Sequence, residues 1–343
     1  MTATQNGKII KAIAGFYYVH TRTAGVYACR ARGIFRKDGE KPLVGDDVEI
    51  TVLDEEKKEG SLDRLLARRN VLIRPAVANI DQALIVFAVR EPDPNLNLLD
   101  RFLVYMGMQD IPVVIFFNKT DLDRDGTAER YRRIYERAGY QVITGAVHAE
   151  PFPAGAETEA DRKEAHSGAG TGEQRGAASG EQLIRAALRG KTTVLAGPSG
   201  VGKSSLTNLL HEEERMEVGA LSEKIRRGKQ TTRHTELFSL PETDTYLLDT
   251  PGFTSLSIPG LRPEDVRFYF PEFLPEAERC KFSGCVHMSE PEKLCGVKQA
   301  LSEGKIDRKR YEDYCQIYEE QKTAQLRYGR MQQRKQEEQN HGI

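Results

Sequence analysis

The sequence predicts a multidomain chain, with an N-terminal all-β barrel, a central α/β domain with a parallel sheet, and a C-terminal helical domain built around a metal-ligand cluster. Three observations carry this reading. Short β-rich runs separated by turn signals fill residues 7–74. Beyond them, continuous apolar strands alternate with helical runs, and one strand leads into a glycine-rich loop. Near the end, three cysteines and one histidine crowd together in a chain with only five cysteines in all.

A length of 343 residues suits two or three domains. The net charge is −1, but it is unevenly spread. Residues 1–75 hold 14 Lys/Arg against 10 Asp/Glu, and residues 274–343 hold 13 against 12, so the acidic excess lies in the middle. A basic N-terminal unit fits a polyanionic partner, and a solvated basic face fits equally well. No apolar run approaches the ~18 residues of a membrane span. The opening MTATQNGKII lacks the apolar core of a signal peptide. The expectation is a cytoplasmic protein with no membrane partner. An odd cysteine count in such a chain argues against a disulfide framework.

In the first unit, the runs Lys8–Ile13, Gly15–His20, Val26–Arg30 and Asp47–Leu53 are punctuated by Lys37-Asp38-Gly39 and Val44-Gly45-Asp46. About five short strands in this length suit a small closed barrel, with the OB-fold the leading candidate. Basic residues interleave with aromatics here: Phe16, Tyr17, Tyr18, Arg22, Tyr27, Arg30, Arg32, Phe35 and Arg36. Such a mixture serves RNA stacking and phosphate contact, or supplies barrel core.

From Ala78 the texture changes. Ile80–Val89 and Ile111–Phe117 read as strands buried on both faces, with helices over Leu96–Met108 and Ala128–Ala138 and a further strand at Gln141–Thr144. The second apolar strand ends in Asn118-Lys119-Thr120-Asp121, an N-K-x-D string. Asp121 can accept hydrogen bonds from the N1–H and exocyclic amine of guanine, an arrangement adenine lacks. Asn118 would tie this loop to a phosphate loop, and Lys119 would lie along the base. Thr144-Gly145-Ala146 falls where a second base-contacting loop belongs. Residues 150–181 are rich in Gly, Ala, Glu and Ser and read as a flexible insertion. Gln182–Leu188 then reads as a short helix.

A β-type run, Thr192–Ala196, enters Gly197, Pro198, Ser199, Gly200, Val201, Gly202, Lys203, Ser204 and Ser205, and a helical run follows. This fits G-x-x-x-x-G-K-[ST], in which backbone N–H groups and a helix N-terminus cradle phosphates. Lys203 would reach the β/γ-phosphates, and Ser204 would offer its hydroxyl to Mg²⁺. In the basic segment 219–234, Thr232 is the first choice for a threonine closing over Mg²⁺ and the γ-phosphate, with Thr231 beside it. The strand Thr245–Leu248 ends in Asp249-Thr250-Pro251-Gly252, a D-x-x-G string. Asp249 would hold Mg²⁺ through water, and the Gly252 N–H would sense the γ-phosphate. Phe253 stands where Ras-like proteins carry a water-orienting glutamine, which predicts slow intrinsic hydrolysis. In ordinary GTPases the phosphate loop comes first and N-K-x-D last. Here N-K-x-D precedes the others, which is a circular permutation.

Further on, Cys280, Cys285, His287 and Cys295 make a full tetrahedral set for one structural Zn²⁺. Cys29 and Cys315 read as ordinary packed or surface residues. Ile306 to about Gln339 is helical in pattern, and Lys309, Arg310, Arg327, Arg330, Arg334 and Lys335 can face a nucleic-acid backbone or solvent.

Taken together, the barrel, NKTD, GPSGVGKSS, the switch threonines, DTPG and the Cys-Cys-His-Cys region resemble the RsgA (YjeQ) family of circularly permuted GTPases over nearly the whole chain. The resemblance implies an OB-fold RNA-binding domain (1–74), a permuted GTPase domain (75–267) and a zinc-binding domain with a helical tail (268–343). It implies GTP hydrolysis to GDP and phosphate, stimulated by the 30S ribosomal subunit and its 16S rRNA, in late subunit maturation, by a monomer. Mg²⁺ with GTP and one Zn²⁺ are the implied cofactors. Relatives often carry histidine before the two threonines as the water-activating group. Gln230 holds that place here, so either Gln230 positions water or the rRNA-bound complex does. The Met288–Leu294 loop and the 150–181 insertion are also longer than usual for the family. Two other readings compete: an RNA-binding module with a vestigial nucleotide site, and an ATP-specific P-loop enzyme.

Overall fold

The computed structural model describes residues 4–32, 35, 41–73, 75–147, 180–217, 235–240, 244–249, 256 and 258–340. The first five strands are β1 (Thr4–Ile13), β2 (Phe16–Thr21), β3 (Gly25–Ala31), β4 (Asp47–Asp54) and β5 (Glu59–Leu65). They close a barrel in the order β1-β2-β3-β5-β4, with β3 and β5 parallel and β4 returning to β1. Closure removes the exposed edges that a five-stranded sheet would otherwise present. Alternate residues fill the interior: Ile9, Val19, Tyr27, Cys29, Val48, Ile50 and Leu62 are fully buried. The sequence reading named four of these strands and did not place β5. Its segment, EGSLDRL, has two apolar residues, Leu62 and Leu65, of which Leu62 alone is fully buried.

A small hairpin, β6 (Val71–Leu72) with β7 (Val77–Ala78), leads into the central sheet. That sheet contains β8 (Gln82–Ala88), β9 (Val113–Asn118), β10 (Gln141–Thr144), β11 (Thr192–Ala196), β12 (Leu237–Ser239) and β13 (Tyr246–Asp249). The order is β10-β9-β8-β11-β13-β12, parallel except for the antiparallel edge strand β12. Successive residues of the central strands serve opposite faces. Ile85, Phe87, Ile115 and Phe117 pack under α1 (Leu96–Gly107) and α2 (Thr127–Arg137). Leu84, Val86, Val114 and Phe116 pack against α3 (Gly180–Leu188) and α4 (Lys203–Glu217). The continuous apolar runs in the sequence therefore mark strands covered on both sides. The chain leaves β8 outward to β9 and β10, then returns to place β11 on the other side of β8. This makes a topological switch point between β8 and β11, where ligands of such sheets bind.

The third unit holds 3₁₀ turns at Pro263–Tyr269, Pro271–Phe273 and Glu292–Leu294, and three helices: α5 (Leu274–Ala277), α6 (Gly296–Ser302) and α7 (Arg308–Asn340). Its core joins Phe270, Phe273, Val297, Ile306, Tyr314 and Ile317 with Cys285 and Cys295. It is fastened to the sheet's helical layer by a buried arginine. Arg310 in α7 donates from Nη1 to Asp100 of α1 at 2.6 Å, and from Nε and Nη2 to both oxygens of Glu272 at 2.7 and 3.0 Å. Tyr135 of α2 donates to the same Asp100 oxygen at 2.9 Å. The guanidinium also lies over the Phe270 ring at 4.5 Å. Arg310 was expected among the cations facing solvent or nucleic acid. It is instead a buried tie, because two carboxylates from different segments meet it there.

Removing one partner of a buried ion pair strands the other. Arg310→Ala is therefore expected to destabilise the protein by about 3 kcal/mol or more, read as a lower urea midpoint. An Asp100→Leu/Arg310→Met double variant is expected to lose less than Arg310→Ala alone, because it leaves one fewer stranded charge.

Candidate nucleotide site and metal centre

The carboxyl ends of β8, β9 and β11 converge at the switch point. The residue that unites them is Asn118, the last of β9, which is 1% exposed. Its Nδ2 donates to the Val201 carbonyl in the glycine-rich loop at 2.9 Å. Its Oδ1 accepts from the Val147 N–H, after β10, at 2.9 Å. One carboxamide thus satisfies a donor and an acceptor on two loops far apart in the chain. A Cβ on Gly202 would stand 2.3 Å from Asn118 Nδ2, and one on Gly197 would stand 2.2 Å from the Val86 carbonyl. Both glycines also have positive φ, at 96° and 141°. These positions need glycine for closeness and for conformation together.

Lys203 opens α4, and its Nζ donates to the carbonyls of Gly197 and Pro198 at 2.9 and 2.6 Å. Ser199, Gly200 and Ser204 are exposed, Val201 is buried, and Pro198 and Ser205 are half-buried. The loop thus offers open backbone and a hydroxyl at the helix start, while Val201 anchors it to the sheet. Thr120, Asp121 and Leu122 form a 3₁₀ turn just beyond β9, with the Asp121 carboxylate exposed. Lys119 has φ 62°, and its ammonium donates to the Glu91 carbonyl in the loop after β8.

The Thr144-Gly145-Ala146 segment lies against this turn. Thr120 N–H donates to the Gly145 carbonyl at 3.2 Å, and Gly145 N–H to the Phe117 carbonyl at 3.1 Å. The sequence reading missed two members of the set, the Val147 N–H and the Glu91 carbonyl. Both act through backbone atoms, so side-chain identity does not reveal them. The Asp249 backbone sits opposite Leu195 in the β11–β13 ladder, one residue before the end of β11. Its side chain, together with Gln230, Thr231, Thr232, Gly252, Phe253 and residues 150–179, lies outside the described residues.

In the barrel, the expected basic-aromatic face divides. Tyr27 is core. Arg22 pairs with Asp244, and Arg32 with Asp63 at 2.9 Å. Arg30 is exposed and lies over the Phe16 ring at 4.7 Å.

The four predicted metal ligands do come together. The Cys280, Cys285, His287 and Cys295 donor atoms lie within 4.8 Å of one another. His287 Nδ1 is 3.7, 3.3 and 3.4 Å from the three sulfurs, in that order. Edges of about 3.5–3.8 Å are what a tetrahedron with Zn–S ~2.3 Å and Zn–N ~2.0 Å requires. The surroundings fit a metal as well. The Gly296 N–H points at Cys280 Sγ at 3.3 Å. The long Met288–Leu294 loop is held by Glu290, which accepts from the Val286 and Met288 N–H groups at 3.0 and 2.9 Å. Lys298 ties the same loop through the Met288 and Glu290 carbonyls at 2.6 and 2.8 Å. Burial lowers His287 to about 4, so its imidazole is neutral and has a lone pair to give. Burial first, and then the neighbouring cysteines, push the Cys285 and Cys295 thiols up. A cation at the centre would offset that by favouring the thiolates. Cys29 is buried in the barrel, and Cys315 is partly buried on α7.

A glycine-rich loop at the switch point, tied by Asn118 to an N-K-x-D turn, defines a P-loop GTPase, here with its strands in permuted chain order. A family model described as RsgA GTPase matches residues 65–154 and 167–259, and one described as RsgA N-terminal domain matches residues 6–62. The chain belongs to the RsgA GTPase family. It is 48% identical over 329 residues to a protein of Agathobacter rectalis named small ribosomal subunit biogenesis GTPase RsgA, covering 93% of this chain and 99% of that one. A protein of the same name from Alkaliphilus metalliredigens is 47% identical, with 91% and 96% covered. Among solved structures, YloQ, described as a circularly permuted GTPase, aligns with TM-score 0.70 at 35% identity, covering 94% of this chain and 96% of that one. YjeQ from Thermotoga maritima aligns with TM-score 0.69 at 30% identity, covering 93% and 99%.

Asn118→Ala leaves the Val201 carbonyl and the Val147 N–H without their partner. Guanine nucleotide affinity is expected to fall by about 2 kcal/mol, roughly thirtyfold, for GDP and GTP alike. Titration of a fluorescent GDP analogue checks it.

Proposed function

We propose that this GTPase binds the small (30S) ribosomal subunit through its 16S rRNA and hydrolyses GTP to GDP and phosphate in an rRNA-stimulated manner during late subunit maturation. The observation that supports it best is the Asn118 bridge, which locks a guanine-type turn and a phosphate-type loop into one site. The names of the relatives supply the ribosomal context, and a ribosomal partner implies the cytoplasm. The chain acts as a monomer.

In this reading Asp121 accepts the guanine N1–H and amine, Lys119 lies along the base, and Asn118 and Thr120 hold the turn. The N–H groups of Gly197–Ser205 and the N-terminus of α4 receive the phosphates. Lys203 leaves its carbonyl partners to neutralise charge at the β/γ-phosphates, where an electrostatic donor acts most strongly. Mg²⁺, bound with the nucleotide, supplies charge neutralisation. Ser204, Thr232 and Asp249 would hold it. Gly252 senses the γ-phosphate, and Gln230 or the rRNA-bound complex orients the attacking water. Cys280, Cys285, His287 and Cys295 hold one structural Zn²⁺. The working domains are residues 1–74, 75–267 (with the insertion at about 150–181) and 268–343.

Three measurements test this. GTP turnover is expected to rise on adding 30S subunits, and an unchanged rate would overturn the ribosomal reading. Lys203→Ala is expected to lower the stimulated turnover by about 10²–10³-fold. Metal analysis of the purified chain is expected to find one zinc per molecule, lost in Cys280→Ser. Near-zero zinc in the unmutated chain would remove that assignment.

A further inference from the structure

Between the third unit and the GTPase domain lies a layer of buried ionisable groups that the nucleotide chemistry does not use. Helix α1 supplies Asn97, Asp100 and Arg101, and α7 supplies Lys309, Arg310 and Asp313. Their bonds cross the seam in both directions. Arg310 Nη1 donates to Asp100 Oδ1 at 2.6 Å, and Asn97 Nδ2 donates to Asp313 Oδ1 at 2.9 Å. Asp100 and Asp313 are both fully buried. The Oδ2 of each is shut off from solvent, and no donor among the described residues reaches either one. A buried oxygen left bare in this way has a physical reason.

The charge balance of the seam supplies it. Glu272 takes two N–H groups of Arg310 on its two oxygens, and the Phe270, Tyr135 and Tyr140 rings line the same guanidinium at 4.5, 5.4 and 5.8 Å. Asp313 has the Lys309 ammonium. Arg101 is committed to Asn97 and Glu320, and Arg137 of α2 to the Gly304 carbonyl. Three buried carboxyls thus share two cations. Asp100 holds the lesser part, one N–H of Arg310 against the two that Glu272 takes. Its own bonds have the asymmetry of an undissociated acid. Tyr135 and Arg310 both donate to Oδ1, as to a carbonyl oxygen, and nothing donates to Oδ2, where an O–H belongs. Burial raises the Asp100 carboxyl to about 7 against the pull of Arg310, and the Asp313 carboxylate adds to the rise. Burial also raises the Tyr135 and Tyr140 hydroxyls, which therefore stay neutral.

We propose that Asp100 is held as the neutral acid in the seam between α1 and α7, and that loss of its proton loosens the third unit from the GTPase domain. Ionisation would set a third carboxylate beside Asp313 and Glu272 with no further cation to meet it, whereas an opened seam lets water solvate it. Asp100 binds its proton more tightly in the closed seam than in water. Docking is therefore firmest at acidic pH, weakens as the pH rises from the ordinary carboxylate range toward about 7, and levels off above that. The latch is independent of the ribosomal reading.

Difference infrared spectroscopy of the full-length, metal-loaded chain between about pH 6 and about pH 8 tests this. The carbonyl stretch of a protonated carboxyl is expected at the lower pH, and Asp100→Asn is expected to remove it from the difference. Asp313→Asn takes away the neighbouring negative charge and is expected to move the transition to lower pH. In urea, the folding equilibrium constant of the unmutated chain is expected to rise about tenfold relative to that of Asp100→Asn over the same fall in pH. The α1 and α7 amides gain protection from exchange in parallel, once the chemical exchange rate is corrected for. A spectrum without a titrating carboxyl, or a band that survives in Asp100→Asn, would overturn the latch. So would an unmutated chain that loses stability relative to Asp100→Asn on acidification, since that is the behaviour of an ionised Asp100 paired with Arg310. If Asp100→Asn does not fold, the infrared titrations of the unmutated chain and Asp313→Asn still decide.

Discussion

The nucleotide site depends on one carboxamide. Asn118 is buried at the end of β9 with its acceptor and donor both used, on Val147 and Val201. A buried amide that lost either partner would carry an uncompensated polar group, so the two loops cannot drift apart independently. The glycine at 202 is the complement of this bond, because a side chain there would occupy the space of the amide nitrogen. The glycine-rich loop and the N-K-x-D turn are therefore tied together as one unit through Asn118. That lowers the ordering cost of binding.

The same bond explains why a permuted chain order is tolerated. A parallel sheet specifies which strands are neighbours and which ends of them carry the loops, but not where the chain must start. Here β8, β9 and β11 bring their carboxyl ends together although 83 residues separate Asn118 from its partner Val201. The permutation also fixes what flanks the sheet. The barrel precedes β8 and the unit with the Cys/His cluster follows β13, so each sits at a chain end of the GTPase domain.

Much of this was legible in the sequence, for identifiable reasons. Strands such as Gln82–Ala88 and Val113–Asn118 are covered on both faces, and their unbroken apolar runs say so directly. NKTD, the glycine-rich loop and the Cys/His set are readable because chemistry restricts both residue type and spacing. The unread parts share a different cause. β5 and β12 owe their strand geometry to the partner ladders of β4 and β13, and their own sequences carry weak patterns. Val147 and Glu91 contribute backbone atoms to the site, which any residue could supply. Arg310 looked like one of several tail cations, and its role came from Asp100 and Glu272, 210 and 38 residues away.

The two flanking units contact the central domain at different places. The barrel meets the central sheet at its β12 edge: Lys11 of β1 pairs with Glu236 at 2.7 Å, and His20 of β2 bonds the Tyr246 hydroxyl at 2.9 Å. Glu236 immediately precedes β12, and Tyr246 opens β13, the strand that ends at Asp249. The third unit is fastened elsewhere, through Arg310, which donates to Asp100 of α1 and lies over the Tyr135 ring of α2 at 5.4 Å. The two flanking units thus grip different layers of the same domain. One holds the edge strand that leads toward D-x-x-G, and the other holds the helices beneath the N-K-x-D strand.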